Sequence, residues 1–106
     1  IFVESFREVM DSVQAAFGEL DIPCSTGTNE IEEGVVPILF GAHHLHPDAV
    51  EKLPGRTILY NMEQLLPGYP WYSEGYLALL RRFRVWDTHI GNIERSYNNI
   101  SFFYFF

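Results

Sequence analysis

Cysteine is nearly absent from this chain: Cys24 is the only one among 106 residues. An intramolecular disulfide is therefore excluded, and a cysteine-based metal site would need ligands of other types. Basic residues are also scarce, with 7 Lys plus Arg against 14 Asp plus Glu and a formal net charge of -7. That balance repels phosphate backbones and anionic headgroups, so no nucleic-acid or membrane-surface partner is expected. No apolar run approaches the roughly 20 residues that span a bilayer, and no signal-peptide pattern opens the chain. The expectation is a protein that does not span a membrane and works in the cytoplasm. Also missing are the G-x-G-x-x-G dinucleotide loop, the G-x-x-x-x-G-K-[ST] phosphate loop and the G-x-S-x-G nucleophile turn.

What is present is globular: 47% hydrophobic and 16% aromatic residues, enough for one domain with a modest core. Phe2, Phe6, Val9, Val13, Phe17 and Leu20 recur at spacings of three and four, with Glu4, Glu8, Asp11 and Gln14 mostly between them. This spacing predicts an amphipathic helix over about residues 2–17, stopped at Gly18. Ile22 to Thr26 reads as a short extended piece. Val35 to Phe40 is a continuous apolar run of the kind found in a doubly covered strand, and Pro37 argues for an edge position. Pro47 to Leu53 supplies one or two helical turns. Thr57 to Tyr60 is a second strand, and Ser73 caps a helix running to about Arg82 with Tyr76, Leu77, Leu80 and Phe83 on its apolar face. The basic group Arg81, Arg82 and Arg84 complements the end of that helix. Arg84 to Trp86 is a third strand, Asp87 or Thr88 caps a further short helix, and Ile100 to Phe106 is a last apolar run.

Strands that read as buried on both sides, alternating with helices, define an α/β domain: a single Rossmann-like layer with a mostly parallel sheet flanked by helices, over residues 1–106. In such sheets ligands bind beyond the carboxyl ends of the strands. Three polar clusters fall there: Gly41, His43, His44 and His46 after the first strand, Asn61, Glu63 and Gln64 after the second, and Asp87, Thr88 and His89 after the third. Were these strands neighbours, all three clusters would share one rim. His43 could be a general base, since imidazole titrates near neutral pH, or a hydrogen-bonded loop residue. Glu63 could be a base or bind a sugar hydroxyl, or it could cap the next turn. His44 and His46 lack a third ligand at recognisable spacing, so no metal site is expected. Asn61 could equally satisfy loose backbone groups at its strand end.

Taken in order, "ILFGAHHL", "ILYNMEQL", "YLALLRRFRVWD" and "NIER" resemble a group of bacterial glycosyltransferase-like proteins. In that group the N-terminal half is the Rossmann-like domain of the two-domain GT-B type. The likeness covers about residues 1–95. It implies that this chain, which begins at Ile1, is the acceptor-side half of a larger protein. A base such as His43 or Glu63 would be catalytic, and Gly41, His44, Asn61, Gln64 and Asp87 would bind substrate. The acceptor would be a glycan or another hydroxyl compound. This chain would hold no cofactor, and a nucleotide sugar would serve as donor to the complete enzyme.

The sequence departs from the pattern after Arg95, where "SYNNISFFYFF" stands in place of a passage toward a second domain. Transfer by this chain alone is therefore not expected. The uncharged aromatic run Phe102 to Phe106 supports a rival expectation, a non-catalytic interaction module that forms a homodimer through its Phe-rich end.

Overall fold

The structure, a computed structural model, describes residues 2–27, 30–89, 91–92 and 102–104. The chain divides into two compact units, residues 1–35 and 36–106.

The first unit is built on helix α1, Phe2–Glu19. Its apolar residues Phe6, Val9, Val13 and Phe17 fall on one stripe, as their spacing predicts, and each remains half-buried. The helix does not stop at Gly18, which lies within it. It ends in a Schellman turn: Ile22 N–H donates to the Phe17 carbonyl (2.9 Å) and Asp21 N–H to the Gly18 carbonyl (3.1 Å). Asp21 takes the left-handed position (φ 58°) that this turn requires, a conformation that short polar side chains tolerate. The side-chain amide of Gln14 then donates to the Cys24 carbonyl at 3.0 Å, tying the following segment back to the helix. Ile22 to Thr26, expected to be extended, forms no strand.

The second unit is the α/β layer. Strands β1 (Ile38–Phe40), β2 (Ile58–Asn61), β3 (Arg84–Asp87) and β4 (Phe102–Tyr104) form one sheet in the order β1-β2-β3-β4, all parallel. The apolar run from Val35 is trimmed to three residues. Val35 and Val36 are exposed, and Pro37, with no N–H to offer, precedes the strand and accepts from Ile58 N–H at 2.9 Å. The edge position that Pro37 suggests is the one β1 occupies, so this strand is only half-buried rather than covered on both faces.

Helices α2 (Pro47–Glu51) and α3 (Glu74–Arg82) are the crossovers from β1 to β2 and from β2 to β3. Successive crossovers in one direction that share one hand bring their helices to the same face of the sheet. The core shows this directly. Leu39, Leu59 and Val85 are register partners on adjacent strands, and they pack with Leu77, Leu80 and Phe83 from the α3 side and with Val50 and Leu53 from the α2 side. The next register row, Phe40, Tyr60 and Trp86, alternates to the opposite face, where the Phe40 and Tyr60 rings stack at 4.5 Å between centroids. Ser73 caps α3 as expected, its Oγ accepting from Tyr76 N–H at 3.3 Å. Among the described residues no helix is long and apolar enough to cross a membrane.

Because β1, β2 and β3 are parallel neighbours, their carboxyl ends share one rim, and the three polar clusters meet there. Position is thus set by the fold.

Candidate functional site

Each strand hands its last residue to a tight polar turn. After β1, Gly41 adopts φ 77°, ψ 27°, and a 3-10 turn, Ala42–His44, follows at once. A left-handed residue here favours glycine, so Gly41 serves the backbone and turns His43 inward. After β2, Asn61 folds the chain back on itself: its Oδ1 accepts from Glu63 N–H (3.2 Å) and its Nδ2 donates to the Glu63 carbonyl (2.8 Å). Asp87 is not a free helix cap. It is the last residue of β3, fully buried, and its Oδ1 accepts from His89 N–H at 2.8 Å.

These turns are fastened to one another by a buried polar network. Asn61 Nδ2 donates to Asp87 Oδ2 across the strand pair (2.9 Å), and the Tyr76 hydroxyl donates to Asn61 Oδ1 (2.6 Å). Asn92 Nδ2 donates to Asp87 Oδ2 (3.1 Å) and to the Glu63 carbonyl (2.9 Å), while its Oδ1 accepts from Leu65 N–H (2.8 Å). Asn61, Asp87 and Asn92 are all fully buried. Polar groups so far from water cost stability unless they are hydrogen-bonded, and the Asn61 amide fills all four of its hydrogen-bond positions. Burial, and then the charges of Glu63 and Asp87, push the Tyr76 hydroxyl far above its ordinary range. It therefore stays protonated and remains a donor.

On this base sits the feature with chemical potential. His43 Nε2 lies 3.0 Å from Glu63 Oε1, with the imidazole side chain 4% exposed and the carboxylate 31% exposed. His43 packs against Trp71 (4.6 Å between ring centroids), Tyr76 (5.6 Å) and His44 (4.0 Å). Burial, followed by repulsion from His44, lowers the His43 imidazole from 6.5 to about 4. The Glu63 carboxylate faces the ring at Nε2. At neutral pH the arrangement is a neutral imidazole whose Nε2 edge faces a carboxylate.

The chain matches no family model, no curated protein and no solved structure.

Of the residues singled out in the sequence, His43, Glu63, Asn61 and Asp87 converge. Gly41 acts through the backbone. His44 is exposed and reaches the site only as an aromatic neighbour of His43 and Trp71, at 5.1 Å from the latter. Gln64 is exposed and lies outside the network. His46 caps α2, its Nδ1 accepting from Asp48 N–H at 3.2 Å.

Sequence reasoning missed Tyr76, Asn92 and Trp71. Tyr76 was legible only as part of the α3 apolar face, and its hydroxyl was the unused clue: a buried tyrosine needs a partner for its O–H. Asn92 lay within the quoted "NIER" without a role of its own.

Proposed function

We propose that the rim of this sheet binds and orients a hydroxyl group, as the acceptor-side part of a glycosyltransferase of the GT-B kind acting in bacterial glycan synthesis. The observation that carries the reading is the His43–Glu63 pair at 3.0 Å, formed where β1 and β2 end and held from below by buried amides. A carboxylate accepts from a sugar or alcohol O–H, and the neutral imidazole beside it carries one donor and one acceptor nitrogen. Glu63, the more exposed of the two, is the better-placed proton acceptor.

In the complete enzyme, the acceptor oxygen would attack the anomeric carbon of a nucleotide sugar. Its proton would pass to the pair, and the nucleoside diphosphate would leave with the bonding electrons. Donor binding belongs to a second domain, so the described chain is an acceptor-binding part rather than a working transferase.

Calorimetry of the chain against a panel of glycans and simple alcohols tests the reading. Saturable binding that is weakened in both Glu63→Gln and His43→Gln is expected, and an acceptor that binds all three proteins equally would contradict it. A second reading, a self-associating interaction module, draws on β4 as the edge of the sheet. It predicts a concentration-dependent dimer in sedimentation, with no response to sugars.

A further inference from the structure

Beside the His43–Glu63 pair, the second unit carries a groove of about 360 Å³ between α2, α3 and the Trp71 loop. Its walls are apolar, from Leu45, Pro47, Val50, Trp71, Ala78 and Leu79, and His43 and Tyr76 also line it. The groove follows α3 from Tyr76 to Arg82, six residues, which at 1.5 Å per residue is about 9 Å.

Its polar groups lie in two places. His43 lies against Tyr76, near the start of α3. At the end of α3, Arg82 Nη1 is 3.3 Å from Glu51 Oε1, so that this cation and anion offset each other. The groove therefore offers no uncompensated charge to an ionic ligand, on a chain whose net charge of -7 disfavours anions in any case. The groove is open along one side, where Pro47, Ala78 and Arg82 are exposed, so its mostly apolar walls and few polar groups suit a small molecule lying along it rather than one enclosed by it.

We infer that this groove binds the apolar body of a small, uncharged, hydroxyl-bearing amphiphile, lying along α3 between Trp71 and Val50 with its hydroxylated end toward His43. The inference rests on the acceptor reading above only for the direction of the hydroxylated end. It adds a substrate class: acceptors that carry an alkyl or aryl portion next to the sugar or alcohol. Burial of that portion against Leu45, Val50 and Leu79 supplies affinity, and the rim supplies orientation.

The test is an NMR titration of the chain with hexyl glucoside below its micelle concentration, with glucose and hexanoate as comparison ligands. Hexyl glucoside is expected to give saturable shifts at the Val50, Ala78 and Leu79 methyls. Glucose should give none there, and hexanoate should bind more weakly. Ala78 is exposed on α3 and lines the groove, so Ala78→Phe fills the space from the solvent side and should abolish the shifts.

Glucose binding as well as hexyl glucoside would overturn the apolar site, and hexanoate binding as well would overturn the preference for an uncharged ligand. These ligand comparisons on the unaltered chain decide the matter even if Ala78→Phe fails to fold. Groove binding that is untouched by His43→Gln and Glu63→Gln would support the groove and sink the hydroxyl-orienting rim. Binding lost in Glu63→Gln but unchanged in Ala78→Phe would do the reverse.

Discussion

The middles and the tips of β2 and β3 are buried equally and held by opposite means. At the middle, Leu59 and Val85 are fully buried among the side chains of α3, and dispersion and water exclusion do the work. Two residues further along, Asn61 and Asp87 are just as inaccessible, yet they sit in hydrogen bonds to each other, to Tyr76, to Asn92 and to the backbone. An apolar tip would be simpler to stabilise. The polar one costs desolvation and returns geometry: it fixes the turn from Asn61 to Leu65, and with it the main chain that presents Glu63 to His43.

If that contrast is sound, the tip should be as expensive to damage as the middle. Asn61→Ala removes four hydrogen bonds and strands the Tyr76 hydroxyl, the Glu63 N–H and one oxygen of the buried Asp87; with about 1–3 kcal/mol per buried group left unsatisfied, a loss of about 4 kcal/mol in urea unfolding is expected. A loss no larger than that of an ordinary surface change would mean the tip is not fastened as described. Leu80→Ala, in the middle region, should cost about 3 kcal/mol through lost burial and the cavity left behind. Asn92→Ala removes the second clamp on the Glu63 carbonyl and the partner of Leu65 N–H, for about 2 kcal/mol. Because it acts on the tip alone, it should also disturb the His43 environment seen by NMR, whereas Leu80→Ala should not.

Acid should probe the tip selectively. His43 titrates near 6.5 when unfolded and at about 4 when folded, so between those values the unfolded chain binds the extra proton. Stability is then expected to fall as pH drops from about 6.5 to about 4, and His43→Gln should flatten that part of the profile. An unchanged profile in the variant would place the acid sensitivity elsewhere. The smallest effect belongs to a site in neither region: Ser73→Ala, which removes the α3 cap, should cost about 1 kcal/mol and leave the His43 signals where they are.

How much of this was written in the sequence follows from distance along the chain. The α/β layer was legible because its signals are local: apolar runs at Ile38 and Ile58, threefold and fourfold spacing in α1 and α3, the Ser73 cap, and Pro37 marking an edge. The limits of α1 were misjudged at Gly18 because an aspartate, Asp21, took the left-handed turn that glycine more often supplies. The rim was legible as a place, since parallel strands put their carboxyl ends together.

Its wiring was not, because the partners are remote. Tyr76 reaches Asn61 across 15 positions, and Asn92 reaches Leu65 across 27. No periodicity encodes such pairs. The helices teach the same lesson. The stripes of α1 and α3 look alike in sequence, yet Leu77 and Leu80 are buried while Phe6, Val9 and Val13 are only half-buried, a difference set by packing rather than pattern.

The rim stands or falls with a neutral imidazole, where β1 and β2 end, oriented by a carboxylate. A nitrogen-15 NMR titration of His43 tests it most directly. A ring protonated on Nε2 at pH 7, a titration midpoint well below 6.5, and a changed tautomer balance in Glu63→Gln are expected. A His43 that titrates at its ordinary value, with mixed tautomers unaffected by Glu63→Gln, would contradict it.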